Sequence, residues 1–139
     1  MISTQRITDK LGQLDEYLDL LAQAGNAPRD SFLADKILIG GAKYYLQVSI
    51  ECCLDIANHI ISAERFRAPR DYADTFKVLE EKDIIEKELS TKLRQMAKFR
   101  NRLVHLYGEI EDTYVYQFIN EDLADIQDFK KVVIDRFLS

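Results

Sequence analysis

Residues 7–21 read Ile7-Thr8-Asp9-Lys10-Leu11-Gly12-Gln13-Leu14-Asp15-Glu16-Tyr17-Leu18-Asp19-Leu20-Leu21. The apolar side chains of Ile7, Leu11, Leu14, Leu18 and Leu21 recur at alternating steps of four and three. A half-buried strand alternates at every second residue; this spacing instead lays one stripe along a helix. The stripe belongs to a helix over about residues 3–24, and Gly25-Asn26-Ala27-Pro28 ends it with turn chemistry.

The same pattern recurs downstream. A second helix is expected from Asp30 or Ser31, both good N-caps, to about residue 63. Its stripe is Leu46, Ile50, Cys53, Ala57 and Ile60, thickened by Leu54 and Ile61. Gly40-Gly41 weakens its early part by about 1 kcal/mol per glycine relative to alanine, which predicts a kink or a close helix contact there. Arg67-Ala68-Pro69-Arg70 reads as a connection, followed by a short helix over about residues 71–81. A fourth helix over about residues 84–107 carries Leu89, Leu93, Met96, Leu103 and Leu106, and Gly108 stands where the residue past a helix end is expected. The last, over about residues 112–137, shows Val115, Ile119, Ile126, Phe129 and Val133.

Five glycines and two prolines are too few for a strand-rich domain. No repeat, linker or low-complexity tract divides the chain. The expectation is one all-α domain over residues 1–139: an antiparallel four-helix bundle with a short extra helix. A chain of this length buries roughly two-thirds of its unfolded surface, enough for a core without staples.

No apolar run approaches the ~18 residues that span a bilayer, and Met1-Ile2-Ser3-Thr4-Gln5-Arg6 has no signal-peptide character. A cytoplasmic protein with no membrane partner is expected. Cys52 and Cys53 are adjacent and point about 100° apart on a helix, so they suit neither a mutual disulfide nor, without further cysteines, a zinc-thiolate site. One of them at least is expected in the core. The net charge of −5 argues against a bulk nucleic-acid binder. That average conceals an asymmetry. Lys92, Arg94, Lys98, Arg100 and Arg102 fall in a stretch without an acid, and Glu109, Glu111, Asp112, Glu121, Asp122, Asp125 and Asp128 follow without a base. A basic face inside an acidic molecule is therefore predicted.

One constellation in that stretch carries chemistry: Arg100-Asn101-Arg102-Leu103-Val104-His105-Leu106-Tyr107. On a helix Asn101 lies about 100° from Arg100, His105 about 140°, and Tyr107 about 20° to the other side, so all four share less than half the circumference. Arg94, Lys98 and Arg102 run beside this arc at i, i+4, i+8. The plain alternatives are a solvated helix face for Arg100 and His105, a solvated stripe for Arg94, Lys98 and Arg102, and helix-end packing for Tyr107.

Arg100, Asn101 and His105 fit the Arg-x4-His pattern of the HEPN nucleases, and Tyr107 extends it to the Arg-x4-His-x-Tyr form of the HepT branch. The runs Tyr44-Tyr45-Leu46-Gln47-Val48-Ser49-Ile50-Glu51 and Leu54-Asp55-Ile56-Ala57-Asn58-His59-Ile60-Ile61 also resemble that family's second helix. Helix order agrees over nearly the whole chain. The resemblance implies a HEPN-type bundle that forms a homodimer with both motifs in one cleft. It also implies metal-independent RNA cleavage by the toxin of a type VII-like pair, with no cofactor. Arg100 and His105 would then be catalytic, and Asn101 and Arg102 would orient the phosphate. Arg94 and Lys98 would follow the RNA backbone, with mRNA or tRNA as substrate. Tyr107 would be the tyrosine silenced with AMP by an MNT-type nucleotidyltransferase antitoxin.

Histidine suits acid–base work because its ordinary pKa is ~6.5, and the arginine fork suits a phosphate. Glu51, Asp55 and His59, also at i, i+4, i+8, read as a support behind the site or an interface stripe. As metal ligands they lack the Glu-x-x-His pairs of di-iron bundles. The second functional reading is a non-catalytic HEPN module that binds nucleotide or RNA, or partners a minimal nucleotidyltransferase; a purely structural dimerisation domain is the third.

Overall fold

The computed structural model describes residues 1–105 and 112–139, with His105 given by its backbone alone. The elements in order are α1 (Thr4–Gly25), α2 (Arg29–Ala34), α3 (Lys36–Ala63), α4 (Tyr72–Glu81), α5 (Lys87–His105), α6 (Asp112–Glu121), α7 (Leu123–Val133) and a final π-turn (Ile134–Leu138). No strand occurs among the described residues.

The pairing of helices can be followed through individual contacts. Ser3 meets His59, Lys10 meets Asp55 and Tyr17 stacks on Tyr45, so α1 and α3 are antiparallel. Lys130 pairs with Asp15 while Gly25 lies against Ile119 and Asn120, so α6 and α7 together run opposite to α1. Phe99 packs on Phe118 and Lys92 reaches Asp125, so the same arm runs opposite to α5. By consequence α5 runs with α1 and against α3, giving an antiparallel four-arm bundle whose last arm is broken at Asp122.

Every residue of the four predicted stripes that lies in the described part is buried or packed on the core, with Leu89 at its margin. Phe32, Phe76 and Phe129 are wholly enclosed, and Phe76 and Phe129 meet edge to face, 5.7 Å apart. Both cysteines are free and buried, and burial pushes each thiol above its ordinary pKa. No helix among the described residues is long and apolar enough to cross a membrane.

Three local expectations are corrected. The single second helix is two: α2 ends at Asp35, an extended residue (φ −105°, ψ 95°) whose carboxylate caps α3 by accepting from the Leu38 N–H at 3.0 Å. α3 runs unbroken through Gly40-Gly41 with no close approach from another helix; a Cβ added at Gly40 meets nothing within 4 Å, and one at Gly41 only Tyr45 of the same helix at 3.8 Å. The close approach is instead at Gly25, where an added Cβ falls 2.8 Å from Ile119. Residues 84–86 precede α5 rather than belonging to it. Asp83 takes a left-handed conformation (φ 57°) after α4, and the Ile84 N–H returns to the Leu79 carbonyl at 3.0 Å, closing that helix with a Schellman-type bond. The expected helix end at Gly108 lies outside the described residues.

Candidate active site

α5 owes its orientation to its apolar side: Leu93, Met96, Ala97, Phe99 and Leu103 are all buried. The phase of the helix then leaves Arg100 and Asn101 half-buried on its flank and Lys98 and Arg102 exposed. His105 occupies the final residue of α5. Its side chain lies outside the described residues, as does Tyr107.

Arg100 is held from three directions. Its Nε and Nη2 both donate to Oε2 of Glu51 on α3, at 2.9 and 2.5 Å. Its Nη1 donates to Oδ1 of Asn101 at 3.2 Å. The Tyr72 ring, at the start of α4, faces the guanidinium with its centroid 4.8 Å from Cζ. These bonds use three of the five N–H donors of an arginine, so two remain without a partner among the described residues. The ion pair is partly enclosed, with side chains 14% exposed for Arg100 and 31% for Glu51. Glu51 thus orients the guanidinium and leaves part of its fork for another acceptor.

Tyr72 is placed by local chemistry at the start of its helix. The Asp71 carboxylate caps α4 by accepting from the Asp74 N–H at 2.7 Å. Arg67 in turn forks onto Asp74 at 2.7 and 2.9 Å and onto Glu81 at 2.9 and 3.0 Å, tying the connection to both ends of α4. The Arg67 guanidinium, aided by the Arg70 N–H, holds the Asp74 carboxyl well below the ordinary carboxylate range. Sequence reading missed Tyr72. Its only local signal was Asp71 as an N-cap, and nothing near it in the chain announces Arg100.

The other candidate residues separate in space. Arg94 turns toward α4, with Nη2 at 3.7 Å from Glu80, and bonds back to Ser90 and Thr91 of its own helix. Asp55 pairs with Lys10 at 3.0 Å on the α1 side. His59 accepts the Ser3 N–H at Nε2, 2.9 Å away. Of the Glu51, Asp55 and His59 stripe, only Glu51 touches Arg100. Desolvation, the Arg6 guanidinium and the N-terminal ammonium hold His59 below the ordinary imidazole pKa. Because the folded value lies below the unfolded one, His59 contributes its stability above about pH 6.5, the unfolded value, and loses it as pH falls through the lower folded value. Amide exchange at Ser3 and Arg6, the first turn of α1, is therefore expected to quicken below pH 6.5 beyond the intrinsic trend. His59→Gln should flatten that dependence; an unaltered profile in this variant would remove the role given to His59.

An all-α bundle that presents an Arg-x4-His helix in this way places the chain in the class of HEPN ribonucleases. The family described as Ribonuclease HepT-like matches residues 9–133, and the chain belongs to it. The mRNA nuclease HepT of Shewanella oneidensis is 31% identical over 105 residues, covering 76% of this chain and 75% of that one. The tRNA nuclease HepT of Aphanizomenon flos-aquae is 29% identical over 118 residues, covering 82% and 78%. Among solved structures, a tri-AMPylated Shewanella oneidensis HEPN toxin in complex with MNT antitoxin superposes with a TM-score of 0.90 at 27% identity, covering 96% of this chain and 100% of that one.

Proposed function

We propose that this ribonuclease is a metal-independent RNA endonuclease that works as a two-fold homodimer and is the toxin of a type VII-like pair. The observation that carries the reading is the state of Arg100: fastened edge-on by Glu51, backed by Tyr72, and with two N–H donors that no described residue engages, free for a phosphate. The same helix ends at His105, which completes the Arg-x4-His pattern.

In the proposed step the ribose 2′-oxygen attacks the adjacent phosphorus and the P–O5′ bond breaks. One imidazole takes the 2′-hydroxyl proton, and a second, protonated one delivers a proton to O5′. A single His105 cannot do both in one step, and a two-fold axis supplies the partner's His105. Arg100 stabilises the charge gathering on the phosphate, and Asn101 orients the guanidinium through its Oδ1. Lys98 and Arg102, both exposed, offer backbone contacts that Arg94, turned to Glu80, offers less directly. The net charge of −5 favours a small footprint on RNA over broad electrostatic binding. mRNA and tRNA, the targets in the names of the two nuclease relatives, are the substrate classes to try first.

Tyr107 is the proposed target of an MNT-type antitoxin. AMP added there would put phosphate charge into the motif itself, where it would compete with RNA for the guanidinium. The test is cleavage of RNA in EDTA by protein made without a nucleotidyltransferase, its Tyr107 shown unmodified by intact mass. Cleavage is expected. No cleavage by the unmodified protein would favour the non-catalytic reading, a module that binds nucleotide, RNA or the nucleotidyltransferase itself.

A further inference from the structure

A cavity of about 520 Å³ opens beside Arg100, lined by Asn58, Arg70, Asp71, Tyr72, Thr75 and Asn101 among others. We infer that it is a nucleobase subsite, in which one unpaired base of the RNA, next to the phosphate held by Arg100, stacks on Tyr72. The inference rests on the nuclease reading and adds to it a residue that selects single-stranded or looped RNA.

The cavity falls in the ~300–1,000 Å³ range of small-molecule sites. Its platform is aromatic and rigid. Tyr72 stands 44% exposed, on a helix start fixed by the Asp71 cap and the Arg67 fork. The ring lies 4.8 Å from the Arg100 guanidinium, so a phosphate on one and a base on the other belong to neighbouring parts of one strand. Asn58 and Asn101 are half-buried. Each amide offers one acceptor oxygen and two donor hydrogens. Among the described residues, the Asn101 oxygen alone is engaged, by Arg100. The Asn101 NH2 and the whole Asn58 amide are left to meet the polar edge of whatever enters. Arg70 stands exposed at the rim, a cation for a flanking phosphate. The larger cavity between the α4–α5 connection and α7 sets the carboxylates of Asp83, Glu86, Glu88 and Asp128 against only Lys92 and Lys131, a net negative lining, so of these two the Tyr72 cavity suits RNA better.

A base reaches such a platform only when unpaired, because bases in an A-form duplex are stacked and their major groove is too narrow for side chains. Base–aromatic stacking contributes ~1–3 kcal/mol per base, which corresponds to a rate or affinity effect of about 5- to 150-fold.

The test combines cleavage with a binding readout. Replacing the base beside the cut site with an abasic ribose is expected to lower kcat/KM of the wild-type protein about 5- to 150-fold. Tyr72→Ala should show a similar loss on intact RNA, and the abasic substitution should then cost it little more. Tyr72→Phe should behave as wild type. Additive losses in Tyr72→Ala would overturn the subsite, because they mean that Tyr72 only steadies Arg100. Separately, 2-aminopurine is walked through a single-stranded RNA blocked by 2′-O-methyl groups. Its fluorescence should be quenched by the wild type at one position, and not by Tyr72→Ala. Quenching without cleavage of unblocked RNA would keep the subsite and reject the nuclease mechanism; cleavage without Tyr72-dependent quenching would do the reverse.

Discussion

A mixed dimer with one wild-type and one His105→Ala protomer is expected to cleave RNA about 10²- to 10⁴-fold more slowly than the wild-type dimer, the usual contribution of one general acid or base. The reasoning is one of proton balance. The reaction removes a proton from the 2′-oxygen and supplies one to the 5′-oxygen, and the chain has only two histidines, His59 and His105. His59 is occupied on the far side of α3, with Nε2 accepting the Ser3 N–H. In the proposed mechanism the second imidazole would therefore come from the other protomer, and removing either copy would disable the step. The His105→Ala homodimer should be no more than modestly slower than the mixed dimer, because groups that act as a unit are not additive. The bell-shaped pH dependence expected of the wild type should lose one limb in the mixed dimer. Differently tagged protomers allow the mixed species to be purified, and size exclusion and thermal melting check that it is folded and paired. Half of the wild-type activity in the mixed dimer would show that each protomer works alone, and the composite site would be abandoned.

Glu51→Ala is expected to lower kcat about a hundredfold while leaving the fold intact. Glu51 takes no part in the proposed proton transfers. It fixes the plane of Arg100 by accepting from Nε and Nη2 together. Without that acceptor the guanidinium keeps its contact with Tyr72 but loses the bond that sets its rotation about Cζ. A misplacement of ~1 Å at a reacting centre costs about 10²-fold. A competing effect runs the other way, since removing a carboxylate frees positive charge for the phosphate and should tighten ground-state binding. Orientation is expected to dominate kcat and charge to dominate KM, so both constants fall together. Glu51→Gln keeps an acceptor oxygen and should recover part of the rate. A rate that rises in Glu51→Ala, or a fall confined to KM, would show that Glu51 restrains the site instead of orienting it.

The positions that decided the helices are those with strong local signals. The stripes of α1, α3, α5, α6 and α7 followed from burial at helical spacing, and every described member packs on the core. The breaks were harder to read. Asp35 and Asp122 look like ordinary polar residues within continuing patterns, yet each ends one helix and precedes another. Gly40-Gly41 carried the opposite message, because glycine lowers helix propensity by about 1 kcal/mol whereas the packing of a 28-residue helix around it contributes far more.

At the site, the Arg-x4-His spacing was legible because it lies within one helix. The stripe of Glu51, Asp55 and His59 shows where such reasoning stops. Residues at i, i+4 and i+8 drift by about 40° and climb ~6 Å at each step, so a stripe that seems uniform in sequence turns from one neighbour to another. Glu51 therefore meets Arg100 on α5, while Asp55 and His59 meet Lys10 and Ser3 on the α1 side.

The chain alone thus carries the helical class, the core positions and the Arg-x4-His motif, since each depends on residues within a turn or two of one another. The company Arg100 keeps is a tertiary matter. Glu51 and Tyr72 lie in other helices, brought beside it by burial of apolar faces that contain neither residue. Contacts formed as a by-product of packing elsewhere leave no periodic trace in the sequence, so the orientation of the guanidinium and the cavity beside it become visible only when the helices are assembled.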